Sequence, residues 1–244
     1  LDLFDENTSS ITIDDVVEKL DVSVPTGYRY LKALCDSGLL SRVSGGLYII
    51  GPKIIKLDLL VRIADPVISA GKTVMHELAT LTGCELLISN IYNDEVINVH
   101  SESPNLQSTH LSYHRGRPHP LFRGATSLTV VANLPRNRLQ KLYNERKAEI
   151  LREGLGNNWN EFNSYLSKIK RQGYFISHGQ LDEGVSGIAA PIFENDVVTG
   201  SITLILPTSR FEVYNTERLI LLIRDAAQQI SDSITGAYSN EITK

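Results

Sequence analysis

The sequence is poor in the features that identify several large classes of protein. It has two cysteines, Cys35 and Cys84, in apolar segments, so free thiols in a reducing cytosol are expected rather than a disulfide framework. No apolar run approaches the ~20 residues that a membrane-spanning helix needs. No signal peptide is visible at Leu1, so we expect a cytoplasmic protein without membrane contact. Phosphate-binding loops, GxSxG and HExxH motifs are also missing, and we therefore expect no enzymatic activity.

Positive charge is scarce as well, which excludes a strongly basic protein. The 244 residues, enough for two domains, include 24 Lys and Arg against 28 Asp and Glu, a net charge of −4. Residues 1–52 hold four basic and eight acidic side chains, so this segment carries the whole net charge. Any attraction of the segment to nucleic acid must therefore come from a local group of cations or from several copies.

Residues 11–50 have the pattern of a winged helix-turn-helix. Val16 and Leu20 recur at helical spacing, and Pro25 suits the first turn of a second helix. Gly38 lies where a left-handed residue would end that helix, and Gly45-Gly46 predict the tip of a hairpin, the wing. Hydroxyls and cations on the second helix can meet phosphates or base edges of DNA. The side chains predicted to bind DNA are Ser23, Thr26, Tyr28, Arg29, Lys32 and Arg42.

Tyr28 has a second interpretation, because helical spacing also places it on an apolar face with Leu31, Leu34 and Cys35. Gly51-Pro52 ends the first domain, residues 1–52.

Residues 53–65 are apolar almost all round and predict a linker helix buried against a partner. Asp65-Pro66 breaks this helix and begins another, in which Val67, Val74, Leu78 and Leu81 repeat on one face. Two such helices favour a homodimer or a dimer of dimers, while packing within one subunit is the alternative.

Residues 66–244 predict an α+β domain with an antiparallel sheet, because strands are followed by helices, further strands and a closing helix. Strands are expected over residues 84–92, 96–102, 106–113, 174–177, 185–193 and 197–206. Helices are expected over residues 125–133, 135–153, 160–172 and 216–234.

Several stretches of the chain carry motifs of a known family. They are SVPTGYRYLKALCDSGLL and GGLYIIGPKIIKL in the first quarter, and GVSGIAAPIF with the later PTSR in the last quarter. On these stretches the whole chain resembles the IclR family of bacterial transcription regulators. The resemblance implies a GAF-like effector-binding domain, dimers or dimers of dimers, and a small organic effector, often a carboxylate or an aromatic acid. The chain departs from the family at Phe122, where members commonly carry His, and at Thr203 and Ile205, where members often carry serines.

A pocket for such an effector is predicted where small residues begin the helix over 125–133. The first N–H groups of a helix attract a carboxylate, and Arg115, Arg117 and Arg123 would add positive charge nearby. We expect an anionic effector with an apolar or aromatic body; simple packing of a sheet against a helix is the alternative. The predicted effector-binding residues are His119, Gly124, Ala125, Thr126, Ser127, Ser177, Val185, Gly187, Thr203 and Ile205.

The histidines raise the question of a metal, since His110, His114 and His119 lie close together in the sequence. Their spacing does not match one face of a strand, and neighbouring arginines would repel a cation. We therefore expect no metal and no other cofactor.

Together these patterns predict a ligand-responsive transcriptional regulator of a catabolic operon, which binds double-stranded operator DNA and responds to a small organic acid. The alternatives are a sensor or dimerisation protein whose winged domain contacts protein, and a regulator that has lost effector binding. The sequence leaves open the effector, the operator and the choice between activator and repressor.

Overall fold

The computed structural model describes residues 1–104 and 114–239. The strand expected over 106–113, with His110, lies outside the described residues. The chain divides into an N-terminal unit, Leu1–Asp65, and a C-terminal unit, Pro66–Lys244. Among the described residues, no helix is long and apolar enough to cross a membrane.

The N-terminal unit combines three helices with a small antiparallel sheet. Its elements are β1 (Ser10–Ile11), α1 (Ile13–Leu20), α2 (Val24–Asp36), β2 (Leu40–Arg42), β3 (Tyr48–Ile50) and α3 (Lys53–Ala64). The strand order is β1-β3-β2, so the hairpin gains a third strand that the sequence pattern did not predict. The core of the unit is formed by Ile11, Val16, Leu31, Leu40 and Tyr48.

Capping residues set the ends of α1 and α2. Thr12 and Asp15 form a capping box at the start of α1, and Asp21 ends that helix in the left-handed conformation. Pro25 occupies the first turn of α2, where its missing N–H costs no hydrogen bond. Gly38, at a φ of 77°, then turns the chain away from the helix, as its position predicted.

The helix α3 begins at the predicted Lys53 and ends at Ala64, one residue before the predicted end, and none of its residues is buried in the single chain. Its side chains at Ile55 and Ile63 are 73% and 69% exposed. Water-facing isoleucines are unfavourable, because burying such a side chain stabilises by about 1.5–3 kcal/mol. Burial of α3 against a partner stays a prediction.

The C-terminal unit is built on a six-stranded sheet in which every pairing is antiparallel. The strand order is β6-β5-β4-β9-β8-β7. Its strands are β4 (Glu85–Tyr92), β5 (Glu95–Glu102), β6 (Pro118–His119), β7 (Phe175–His178), β8 (Val185–Glu194) and β9 (Val197–Pro207). Its helices are α4 (Pro66–Thr82), α5 (Ala125–Val131), α6 (Arg136–Glu145), α7 (Lys147–Arg152), α8 (Trp159–Gln172), α9 (Thr208–Phe211) and α10 (Thr216–Ser239).

Helices cover both faces of this sheet. One face packs against α4 and α10 through a core that includes Met75, Ile88 and Ile230. The other face carries α5, and beyond it a second core with side chains from α6, α7 and α8, among them Leu142 and Phe162. All seven residues of α5 are buried, so this helix is enclosed on every side.

Two expectations for this unit were wrong in detail. The helix expected over 135–153 is two helices, α6 and α7, because Arg146 leaves the helical conformation with φ −120° and ψ 27°. Leu81 was expected on the packed face of α4, but it lies in the last turn of that helix and is 60% exposed.

Candidate functional sites

The first candidate site is the exposed face of α2 in the N-terminal unit. Gly27 and Leu31 are buried against the unit, and this orients the opposite side of the helix toward solvent. The predicted DNA-binding side chains Ser23, Tyr28, Arg29 and Lys32 are exposed, Thr26 is half-buried, and Arg42 is exposed in β2. The placement of Tyr28 on the apolar face was wrong, since its side chain is 46% exposed.

Local contacts hold several of these polar side chains. The Ser23 hydroxyl donates to Thr26 Oγ1 at 3.0 Å. The Lys32 ammonium lies 2.9 Å from Asp36 Oδ2, and this carboxylate raises the pKa of Lys32. The Arg29 guanidinium lies 5.9 Å from the ring centroid of Tyr30, a cation–π distance. The face is therefore cationic and hydroxyl-rich, with its only acid at the end of the helix.

The neighbouring helix α1 has the opposite character. Asp14, Asp15 and Glu18 are exposed on it. Hydrogen bonds from Thr12 lower the pKa of Asp15, so this carboxyl stays ionised to lower pH than usual.

The second candidate site is a cavity of about 40 Å³ in the C-terminal unit. It lies where the start of α5 meets β8, β9 and the segment that follows β7. Among the described residues, its lining is Leu87, His119, Ala125, Thr126, Ser177, Gln180, Leu181, Asp182, Val185, Ser186, Gly187, Thr203 and Ile205. Eight of these were predicted from the sequence: His119, Ala125, Thr126, Ser177, Val185, Gly187, Thr203 and Ile205.

Gly124 and Ser127 were also predicted, but neither is among these lining residues. Ser127 is fully buried within α5. Gly124, at a φ of 83°, lies beneath Leu181, so that a side chain at this position would meet the Leu181 Cδ1 atom at 2.8 Å. The sequence predicted the first residue of α5 correctly, but the Leu181 side chain covers Gly124, the residue before the helix.

Two N–H groups at the start of α5 already have partners. The Gly124 N–H donates to Gln180 Oε1 at 3.0 Å, and the Ala125 N–H donates to Ser177 Oγ at 3.0 Å. These two donors, which were expected to receive a carboxylate, are satisfied within the chain.

Two buried hydroxyls join α5 to the sheet at the cavity. Thr126 Oγ1 and Thr203 Oγ1 lie 3.0 Å apart, and both side chains are buried. Ser201 Oγ donates to the Thr126 carbonyl at 3.1 Å. Because Val185, Leu87 and Ile205 pack together nearby, the cavity has one apolar side and one side rich in hydroxyls.

The charge at the cavity differs from the expectation. Among the described lining residues, Asp182 is acidic and none is Lys or Arg; the expected Arg115, Arg117 and Arg123 do not contribute. His119 is 5% exposed, and its burial lowers its pKa to about 4, with Asp182 opposing the shift. At neutral pH, His119 therefore contributes an uncharged ring.

Phe122, where relatives were expected to carry His, does not line the cavity. Its buried ring packs edge-to-face against Phe162, with the ring centroids 5.9 Å apart. The phenylalanine that this chain carries in place of His therefore fills the core between α5 and α8.

Five lining residues were missed: Leu87, Gln180, Leu181, Asp182 and Ser186. Three of them belong to the segment 179–184, where turn-type residues gave no sign that the chain folds back over α5. In the described parts of the chain, no group of three His, Cys, Asp or Glu side chains is placed to hold a metal ion.

Comparison with known sequences gives one consistent result. The family model described as bacterial transcriptional regulator IclR, C-terminal, matches residues 63–232. The chain is 24% identical over 226 residues to the HTH-type transcriptional regulator KipR of Bacillus subtilis, covering 92% of this chain and 90% of that protein. It is 22% identical over 233 residues to KdgR of Dickeya chrysanthemi, covering 92% of this chain and 74% of that protein.

Solved structures share the fold. An IclR transcriptional regulator from Alicyclobacillus acidocaldarius matches with a TM-score of 0.73 at 23% identity, over 95% of this chain and 94% of that one. An IclR homolog from Microbacterium hydrocarbonoxydans, complexed with 4-hydroxybenzoate, matches with a TM-score of 0.70 at 17% identity, over 96% and 95%. The predicted α+β fold with an antiparallel sheet is confirmed.

Proposed function

Since this chain belongs to the IclR family of bacterial transcriptional regulators, we propose that it is a ligand-responsive, DNA-binding regulator of a catabolic operon. Regulators of this family bind DNA and are not enzymes. The proposal assigns DNA recognition to the N-terminal unit and effector binding to the C-terminal unit.

The exposed face of α2 is the observation that carries the DNA-binding part. We propose that the N-terminal unit is a winged helix-turn-helix, with α2 in the major groove and the β2–β3 hairpin as the wing. Arg29 and Lys32 supply cations, and the Ser23 and Thr26 hydroxyls supply short-range hydrogen bonds. No acid competes with the phosphates between Val22 and Leu34.

An electrophoretic shift with the DNA upstream of the protein's own gene tests this assignment. Arg29→Ala should weaken binding by about 1–3 kcal/mol if Arg29 contacts a base. Lys19→Ala, which removes an exposed cation from α1 instead, is the matched control and should change binding by less than about 0.5 kcal/mol. If the wild type does not shift this DNA, the alternative that the N-terminal unit contacts a protein is favoured.

We further propose that the protein acts as a homodimer or a dimer of dimers through α3. The exposed isoleucines of this helix support the proposal, and so does the acidic N-terminal unit, for which a second copy would double the number of phosphate contacts. Analytical ultracentrifugation should give a dimer or tetramer for the wild type, and a shift toward monomer for Ile55→Glu. A monomeric wild type would contradict this part.

The effector we propose is a small organic acid with an apolar or aromatic body. Its site is the cavity at the start of α5, where His119, Ala125, Thr126, Ser177, Val185, Gly187, Thr203 and Ile205 come together. The hydroxyls and the neutral His119 ring can hydrogen-bond an acid, and Val185 and Ile205 can contact its body. The relative complexed with 4-hydroxybenzoate supports this class of ligand.

Titration calorimetry against a panel of organic acids tests the effector class. Aromatic or branched acids should bind, and their binding should change the affinity for operator DNA by altering the distance between the two recognition helices. Binding of only two- and three-carbon acids would contradict the proposed apolar body.

A further inference from the structure

The segment 179–184 forms part of the wall of the cavity at the start of α5. We propose that this segment is a lid, and that Gln180 and Leu181 determine which ligands enter. The inference rests on the effector site proposed above and adds a gate to it. Gln180, Leu181 and Asp182 all line the cavity, so this short segment supplies three of its thirteen described lining residues.

Two contacts hold the lid against α5. Gln180 reaches across with its side-chain amide, and Oε1 accepts the Gly124 N–H at 3.0 Å. Leu181 lies over Gly124, whose lack of a side chain lets the leucine approach this closely. A residue with a Cβ at position 124 would push Leu181 away, so this close contact depends on Gly124.

The outer backbone groups of Gly179 and Gly184, the two end residues of the lid, are held by hydrogen bonds, and rotation is left to their backbone bonds that face the lid. The Gly179 N–H donates to the Val185 carbonyl at 2.8 Å, and the Thr208 N–H donates to the Gly184 carbonyl at 2.8 Å. Gly179 and Gly184 both have positive φ, 59° and 73°, and no described atom lies within 4 Å of where a Cβ would be. Glycines with free space on both sides of a segment permit the backbone rotations that a hinge requires.

A hydrogen-bonded chain strengthens the attachment of the same two ends. His178 Nδ1 lies 2.9 Å from Ser186 Oγ, and that hydroxyl lies 2.9 Å from Thr208 Oγ1. His178 directly precedes Gly179, and Ser186 lies two residues after Gly184. Their contact therefore joins β7 and β8, the strands that flank the lid. Motion is therefore confined to the residues between the two glycines, and it must break the bond in which the Val185 N–H donates to the Asp182 carbonyl at 3.2 Å.

The size and charge of the cavity indicate that the lid must open for an organic acid to bind. A cavity of about 40 Å³ has room for a few water molecules, whereas sites for small organic ligands typically enclose about 300–1,000 Å³. Asp182, carried by the lid, also adds an acidic residue to the lining of the proposed anion site. Opening of the lid would move both the Leu181 side chain and the charged Asp182 away from the cavity.

Binding of two probes to the full chain tests the lid: 4-hydroxybenzoate, and benzene as an uncharged cavity probe. Leu181→Ala weakens the closed state, so both probes should bind about tenfold more tightly than to the wild type, because the competent state becomes more populated. Leu221→Ala, which shortens an exposed leucine of α10, is the matched control and should leave both affinities unchanged. Leu181→Ala keeps the Gln180 acceptor of the Gly124 N–H, so opening of the lid should speed amide hydrogen exchange at Gly124 in this variant without changing it at Gly179.

Each result decides between the two proposals. Equal binding of both probes to the wild type and Leu181→Ala, or unchanged exchange at Gly124 in Leu181→Ala, overturns the lid. Tighter binding of benzene with faster exchange at Gly124, and no acid bound by either protein, supports the lid and contradicts the organic-acid effector. Tighter binding of benzene with unchanged exchange at Gly124 shows only that Leu181→Ala enlarged the cavity, and it overturns the lid. The unfolding midpoint followed by Trp159 fluorescence shows that each variant is folded before its binding is compared.

Discussion

Protonation of His119 should make the C-terminal unit less stable in acid. The ordinary histidine pKa of 6.5 falls to about 4 in the folded protein, because the ring is buried. Between these values the unfolded chain binds a proton that the folded chain excludes, so stability is lost as the pH falls. At about 1.36 kcal/mol per pKa unit, the loss approaches about 3 kcal/mol below pH 4 and is about 2 kcal/mol at pH 5.0. Above pH 6.5 the ring is neutral in both states and contributes no difference.

Urea unfolding at pH 7.5 and pH 5.0 measures this loss. The chain has one tryptophan, Trp159, which packs against Tyr143 with ring centroids 5.6 Å apart, so its fluorescence reports on the C-terminal unit. His119→Gln has no ionisable group at this position. Between pH 7.5 and pH 5.0, the fall in its free energy of unfolding should therefore be about 2 kcal/mol smaller than the fall for the wild type.

Each protein is compared with itself at the two pH values, so any stability that His119→Gln loses at neutral pH cancels. His114→Gln removes an exposed histidine of the same unit and should keep the full wild-type loss. If His119→Gln loses as much stability in acid as the wild type, burial of His119 does not cause the acid sensitivity and the reasoning fails.

Two further predictions concern the loss of a hydroxyl in the C-terminal unit and the addition of a methyl group in the N-terminal unit. Thr126→Val or Thr203→Val leaves the other buried hydroxyl without this partner and should cost about 1–3 kcal/mol. The double variant should cost less than the sum of the two, which a double-mutant cycle by Trp159 fluorescence checks; strict additivity would contradict it. Gly51→Ala directs a methyl group onto the backbone carbonyl of Gly38 and should abolish operator binding in the shift assay, with the Trp159 transition unchanged; normal DNA binding would contradict it.

Local signals in the sequence were sufficient to predict most of the fold. The bounds of α3 follow from Gly51-Pro52 before it and Asp65-Pro66 after it, since proline and glycine punctuate the chain without help from tertiary structure. The β8–β9 hairpin was equally accessible, because Asn195 and Asp196 adopt the positive φ values that such short turns require.

Tertiary contacts explain what the sequence did not predict. Gln180 and Leu181 belong to the cavity only because the segment between two strands folds back onto Gly124, and no periodicity encodes that contact. The anion site expected at the start of α5 assumed free N–H donors, but Gln180 and Ser177 already accept from two of them, those of Gly124 and Ala125. A sequence pattern shows where a helix begins but does not show which side chains reach its first turn.

The acidic face of α1 has a consequence for how the operator is found. Asp14, Asp15 and Glu18 lie exposed in the same unit as the DNA-binding face proposed for α2. Attraction to the phosphate backbone supplies nearly all of the affinity for random DNA, and these carboxylates reduce it. Such a protein spends little time bound across the rest of the genome. Its occupancy of the operator would then depend on base contacts and on the second copy proposed above, and genomic DNA would compete with the operator less than it does for a basic regulator.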